Sequence, residues 1–275
     1  MIAVIKILRR VPIYAFLTIA ALLSVFPLFF MIVSATNTSA QVLGARLLPG
    51  TNLLNNLHNL MAQQDLLSAL WHSSLNAVAT TVLALIICAI AGYGFEVYHS
   101  RGKDFVMNIL LLAMMIPFAA TMIPLFRLFS QLKLTQPSMT TLAVILPAIS
   151  TPFLILLFRQ SARSFPHEIL EAARVDGLSE MSIFIRIFIP TMRSTFAAAG
   201  VITFMAAWNN FLWPRVVIIS NSQQTMTMLI SNFRAGYVID YGMLMLAVLI
   251  ASLPTMIIFL ILQRSFANGI VGAIK

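Results

Sequence analysis

The sequence predicts an all-α polytopic membrane protein with six transmembrane helices and both termini cytoplasmic. A cytoplasmic helix-turn-helix loop is expected between helices 4 and 5. Composition comes first: of 275 residues, 60% are hydrophobic and 9% charged, with mean hydropathy +0.95. Soluble domains run at about 45–50% apolar and about 25% charged, so soluble, disordered and collagen-like classes are excluded. Second, six stretches reach the roughly 20 apolar residues needed to cross a hydrocarbon core, and none contains Asp, Glu, Lys, Arg or His. Third, Lys and Arg are unevenly shared between the two sides, which sets orientation.

The predicted spans are Pro12–Ala35, Ser73–Phe95, Phe105–Phe126, Ser138–Phe158, Ser194–Trp213 and Met243–Leu262, within one transmembrane domain over residues 1–275. Continuous runs of this length argue against a barrel, whose strands are short and alternating. The first run is longer than the 7–15 residue core of a signal peptide. It is therefore expected to stay, although Val33-Ser34-Ala35 has the look of a cleavage site.

Twelve basic residues fall on one side: Lys6, Arg9, Arg10, Arg101, Lys103, Arg159, Arg163, Arg174, Arg186, Arg193, Arg264 and Lys275. The other side holds five, namely Arg46, Arg127, Lys133, Arg215 and Arg234. The positive-inside rule puts both ends in the cytoplasm. The net charge of +9 is thus a topology signal, and no nucleic-acid partner is expected. Membrane lipid is the solvent of the spans.

Between the spans, external segments Thr36–His72 and Pro214–Gly242 are long and polar. Leu53, Leu54, Leu57, Leu60 and Met61 recur at helical spacing, predicting a short interfacial helix. The lone Cys88 lies in an apolar run and reads as a small buried hydrophobe.

Chemistry is notable for what is missing. Ion-coupled carriers place ionisable groups at membrane depth, and these spans have none. Gly102-Lys103 lacks the spacing and hydroxyl of a phosphate-binding loop. His167-Glu168 is not followed by a second zinc-binding histidine. His58, His72, His99 and His167 fall in loops or at span ends, where solvated roles suffice. No cofactor, metal site or catalytic set is expected, and the chain is not read as an enzyme. Energy comes from another polypeptide, or transport is passive.

The loop over residues 163–190 carries the most concentrated charge. Ser164 is expected to cap a first helix, with Pro166 in its opening turn and Glu168 near the positive end of its dipole. Asp176-Gly177 breaks it. A second helix starts near Ser179, pairs Ile183 with Ile187 and Phe184 with Phe188, and is expected to end at Pro190. Two readings stand for its apolar face: insertion into a groove on a soluble partner, or packing against its own bundle or lipid headgroups.

The run Glu171-Ala172-Ala173-Arg174-Val175-Asp176-Gly177, followed by Phe184, Ile187 and Pro190, resembles the EAA loop of bacterial ABC importer permeases. Leu178 and Ile189 depart from the usual alanine and leucine. Trp208-Asn209-Asn210-Phe211-Leu212-Trp213-Pro214 and the ending Gln263–Lys275 are similar to segments of carbohydrate importers of the maltose type, second permease subunit. Val33–Ser39, Ala91–Glu96 and Pro190–Thr195 are similar to the lactose-import branch of that family.

The resemblance implies a permease subunit of a binding-protein-dependent ABC sugar importer in the bacterial inner membrane, moving a disaccharide such as lactose or another galactoside. Implied partners are a second permease, an ABC ATPase dimer that binds the ATP, and an extracytoplasmic sugar-binding protein. It assigns ATPase docking to Glu171, Ala172, Ala173, Asp176, Gly177, Phe184, Ile187 and Pro190. The external segment Pro214–Gly242 would face the binding protein, and the C-terminal tail would emerge beside the ATPase pair. For Trp208, Asn209, Asn210 and Trp213, a sugar path and an interfacial aromatic belt both stand. The alternative function is a passive channel for an uncharged solute.

Overall fold

A computed structural model describes the backbone of residues 2–234 and 239–272, and side chains of residue 10 and residues 12–233 and 239–263. In chain order the helices are α1 (Ile2–Ala35), α2 (Ser39–Leu43), α3 (Leu53–Gln63), α4 (Leu66–Val97), α5 (Arg101–Ala113), α6 (Phe118–Gln131), α7 (Thr140–Ile145), α8 (Pro152–Arg163) and α9 (His167–Val175). They continue as α10 (Glu180–Ile183), α11 (Ile189–Thr191), α12 (Arg193–Trp208), α13 (Leu212–Val217), α14 (Met226–Arg234) and α15 (Tyr241–Gly272). Among the described residues there is no strand, as an unbroken apolar chain in lipid requires of its backbone.

Three helices are long and apolar enough to cross a membrane unaided: Pro12–Ala35 within α1, α4, and Tyr241–Gln263 within α15. The other apolar runs are broken. Arg101–Ala113 and Phe118–Gln131 meet at 101°, Pro137–Ala148 and Pro152–Arg163 at 50°, and Glu180–Thr191 and Arg193–Trp208 at 80°. A straight third and fourth span therefore give way to bent pairs, and proline is the reason. Pro117 is extended at ψ 132 and forms the N-cap of α6; its missing N–H and its clash with the preceding turn disfavour a helix running through it. In the fourth run Pro147 sits in a 3-10 turn, and Thr151 starts α8 afresh by accepting from the Leu154 N–H, with Pro152 at its first position. The expected fifth run ends early, at Trp208, where Asn209 caps α12 and donates its Nδ2 to the Met205 carbonyl at 2.8 Å.

Two compact units partition the chain. The first comprises residues 1–66 and 230–253. Here the end of α1 is tied down by amides: Asn37 Nδ2 donates to the carbonyls of Val33 and Leu48, and Asn56 Nδ2 to those of Ala35 and Asn37. Asn56 and Leu60 form the buried side of α3, while Leu54 is exposed. Ser39 Oγ donates to Asp240 at 2.8 Å and accepts the Tyr241 N–H.

The second unit comprises residues 67–229 and 254–275. Its core gathers Ala84, Cys88 and Tyr93 of α4, Leu154 and Phe158 of α8, Leu170 and Ala173 of α9, and Ile183, Phe184 and Phe188 beyond it. At Gly92, a β-carbon would come within 2.6 Å of Phe158 Cβ and 2.7 Å of the Arg159 nitrogen. Only glycine lets α4 and α8 cross this closely.

Candidate functional site

The loop between α8 and α12 is a folded elbow. Ser164 does not cap α9. It ends α8, and its hydroxyl donates to the Ser161 carbonyl at 2.7 Å. The N-cap position falls instead on Pro166, which has no side-chain acceptor to offer. At the other end of α9, Gly177 adopts φ +80. Its N–H donates to the Arg174 carbonyl and that of Leu178 to the Ala173 carbonyl, both at 3.0 Å. These two bonds form a Schellman cap, in which the residue after the left-handed position packs back on the helix. Leu178 fills that role against the core around Ala173, so its bulk closes the turn rather than crowding it.

The second arm ends at Thr191, one residue past Pro190. Ser179 caps it by accepting the Ser182 N–H. Phe184–Phe188 then form a π-helical turn, with the Ile189 N–H donating to the Phe184 carbonyl, before α11. A proline ring clashes with the carbonyl four residues back, and the wider turn gives it room. Pro190 lies in the arm's last turn, which ends at Thr191 with Met192 as its C-cap, and the 80° turn into α12 follows there.

Burial divides the expected docking residues. Leu170, Ala173, Ile183, Phe184 and Phe188 lie in the chain's own core, with Phe188 wholly buried. The apolar face is thus covered from within and is not a free knob. Burying each of the four larger side chains contributes roughly 1.5–3 kcal/mol, more than the exposed ion pair at the elbow's edge can supply. Ala173 and Phe184 position the loop from inside. Glu171, Ala172, Asp176, Gly177 and Pro190 are exposed, and Ile187 is half-buried. Ala172, Asp176 and Ile187 line a shallow groove of 380 Å³ with Glu168, Ile169 and Leu178. Apolar Ile169, Val175, Met181 and Ile185 stand in solvent around it.

The segment after α12 has a different fate from the one expected. Trp208 is buried and stacks on Phe204, with ring centroids 5.9 Å apart. Trp213 is 1% exposed, donates Nε1 to the Ala143 carbonyl at 2.8 Å, and meets Phe118 and Phe129 edge-on. Both tryptophans are buried in ring packing. Asn209 is exposed and gives one amide hydrogen to its helix cap. Of the four residues weighed for a sugar path, Asn210 lines a cavity of 320 Å³.

Beyond α13, residues 220–226 are fastened within the second unit. Thr140 Oγ1 donates to Gln223 Oε1 at 2.7 Å, Gln223 Nε2 donates to the Pro137 carbonyl at 2.9 Å, and the Met226 N–H donates to Ser73 Oγ at 2.8 Å. Residues 235–238 of the expected binding-protein-facing segment lie outside the described residues. So do Ala273, Ile274 and Lys275 of the C-terminal segment.

Residues 84–272 match the family of binding-protein-dependent transport system inner membrane components. The chain belongs to that family. It is 42% identical to the lactose transport system permease protein LacG of Rhizobium radiobacter over 270 residues, covering 97% of this chain and 98% of that one. Over 272 residues it is 33% identical to the arabinooligosaccharides transport system permease protein AraQ of Bacillus subtilis, covering 97% and 96%. The sn-glycerol-3-phosphate transport system permease protein UgpE of Escherichia coli is 28% identical over 260 residues, covering 91% and 92%. Among solved structures, a bacterial ABC transporter that imports the acidic polysaccharide alginate has a chain of the same fold. Its TM-score is 0.82 at 18% identity, covering 94% of this chain and 96% of that one. This protein is an inner-membrane transport subunit of the ABC importer class, not an enzyme.

The permease also holds its elbow with residues that motif reading passed over. Tyr93 of α4 donates its hydroxyl to Glu180 at 3.3 Å and meets Phe184 and Phe188 edge-on at 5.3 and 4.9 Å. Arg174 Nε donates to the other Glu180 oxygen at 2.7 Å, and this bond, ahead of any other contact, holds the Glu180 carboxyl below its usual range. Nearby, Arg159 donates Nε to Glu96 at 3.1 Å and Nη2 to Asp104 at 2.6 Å, and His99 contacts the second Asp104 oxygen at 2.9 Å. Arg159 thereby joins the ends of α4, α5 and α8. The only sequence signal was charge at span ends, which does not name partners.

Proposed function

We propose that this permease is one of two membrane subunits of an ABC sugar importer, taking lactose or another galactoside from an extracytoplasmic binding protein into the cytoplasm. Residues 163–190 dock in an ATPase dimer and act as a lever on the spans. The observation that carries this reading is the Schellman-capped elbow, which stands on the family motif and leaves Glu171, Ala172 and Asp176 exposed. Ala173 and Phe184 stiffen the lever from beneath. The 42% identity to a lactose permease over nearly the whole chain supports the galactoside. The three long helices, the bent pairs over residues 101–131 and 137–163, and α12 each count as one span, giving six, with both ends cytoplasmic by the charge bias.

The test is reconstitution of both permeases, the ATPase and the binding protein in vesicles. Labelled lactose should accumulate only with ATP and binding protein present. Equilibration of lactose without the ATPase would establish the passive channel instead. Accumulation of another solute only, with lactose excluded, would keep the lever and overturn the galactoside.

A further inference from the structure

Apart from the cavity at Asn210, the second unit holds a larger one of 480 Å³, between α4, α12 and α15. Its lining on α12 begins at Arg193, the first residue of that helix, and ends at Phe204. That stretch of helix rises about 16 Å, close to half of the roughly 30 Å hydrocarbon core. The charge bias places Arg193 at the cytoplasmic edge, so the cleft reaches inward about as far as one leaflet.

Its interior is apolar. Thr81 carries the one hydroxyl in the lining, and that hydroxyl donates to the Ala77 carbonyl at 2.6 Å. Arg193 apart, the rest is aliphatic, glycine or phenylalanine. A sugar placed here would lose its hydration and find too few hydrogen-bond partners to replace it. Arg193 differs from everything around it. It is exposed, and among the described residues it makes no hydrogen bond or ion pair. A guanidinium with its planar fork of donors matches the oxygens of a phosphate.

Shape decides what kind of molecule fits. Val78 and Val82 are 51% and 49% exposed, so the cleft opens sideways along α4. Spread over its length, 480 Å³ leaves a cross-section of about 30 Å², well short of the roughly 80 Å² of a helix about 10 Å across. A helix can cap such a cleft without entering it, whereas a single hydrocarbon chain can lie inside.

We propose that the cleft holds one acyl chain of an anionic phospholipid of the cytoplasmic leaflet, with the lipid phosphate on Arg193. Basic pockets between spans take lipid headgroups on that side of the membrane. The chain gains little by exchanging lipid tails for aliphatic side chains, so the headgroup contact selects which lipid stays. This uses the orientation proposed above and is independent of which sugar is carried.

The test uses the complete importer, purified with its second permease and ATPase and stripped of lipid. Native mass spectrometry compares retention of added dioleoylphosphatidylglycerol and dioleoylphosphatidylcholine. The wild type should hold one copy of the anionic lipid about tenfold more tightly, through the charge-assisted hydrogen bonds at Arg193. Arg193→Gln should abolish that preference, while Arg101→Gln, at another exposed cation on the same side, should keep it. Ala197→Phe fills the cleft beside an intact Arg193 and should release the same copy. Arg193→Gln removes no internal contact, so it decides the matter if Ala197→Phe fails to assemble. The proposal is overturned if the wild type holds both lipids equally, if Arg193→Gln keeps the preference, or if inorganic phosphate displaces the lipid, which would mark a site for the free anion. It is equally overturned if a photo-cross-linker at Val82 captures the second permease instead of lipid. Labelling of Arg193→Cys in whole cells by a membrane-impermeant thiol reagent would overturn the orientation, and the leaflet with it, whatever the headgroup preference. Retention is read without transport, so absence of lactose uptake would sink the sugar reading and leave the lipid site standing.

Discussion

Tyr93, near the end of the longest helix in the second unit, hydrogen-bonds Glu180 at the start of the elbow's second arm, 3.3 Å away across 87 residues of sequence. The same ring packs edge-on against Phe188 at 4.9 Å. A membrane helix and the cytoplasmic elbow are thereby locked by one side chain at both a polar and an apolar point. Tyr93→Phe keeps the ring and should cost about 1 kcal/mol of stability, whereas Tyr93→Ala should cost about 3–5 kcal/mol. Thermal melts of the purified permease pair check the ratio. If the elbow is a lever, Tyr93→Ala should also lower transport per ATP hydrolysed, and equal coupling in both variants would refute that role.

Gly177 sits at φ +80 with open space where a β-carbon would stand, so any effect of substitution is a backbone effect. Gly177→Val should destabilise the elbow by about 1–2 kcal/mol and weaken copurification of the ATPase. Gly177→Asn, which tolerates the left-handed region, should retain most of it. Equal copurification of both variants would show that the turn is irrelevant to docking.

Arg159 and Arg174 make ion pairs of very different worth. The Arg159–Glu96 side chains are 16% and 14% exposed, the Arg174–Glu180 side chains 40% and 41%. Arg159→Gln leaves a largely buried carboxylate unpaired and should cost about 3 kcal/mol. Arg174→Gln should cost no more than about 1 kcal/mol. Denaturation of the two variants side by side is the check, and a larger loss at Arg174 would reverse the ranking.

At the crossing of α4 and α8, Gly92→Ala should already strain the structure, because the nearest atoms include the backbone nitrogen of Arg159 at 2.7 Å and not a flexible side-chain end. A cost of about 2–3 kcal/mol is expected. Gly94, with nothing within 4 Å of its would-be β-carbon, is the internal control: Gly94→Ala should leave the melting temperature unchanged or raised.

Much of the elbow was legible as local pattern. The Asp176-Gly177 break and the Ser179 start follow from capping and turn chemistry confined to a few neighbouring residues. Pro190 marked the arm's end to within a residue, as a proline stop signal should, while the π-helical turn over Phe184–Phe188 has no signature in residue order. Trp208 and Trp213 carried the composition of a sugar path or an interfacial belt. Their rings are instead spent on Phe204, Phe118 and Phe129, contacts made with other turns and other helices.

By itself, the sequence determined that this protein lives in a bilayer as helices, because hydrophobic runs of span length leave the backbone no other way to satisfy its hydrogen bonds. It also determined which residues share the elbow's apolar face, since helical periodicity is local. Tertiary structure alone decided what covers that face: the chain's own Tyr93 and Phe165. Likewise it alone paired Arg159 with Glu96. The physical reason is that periodicity defines a surface, whereas the partner for that surface comes from segments tens of residues away, brought near only when the whole unit packs.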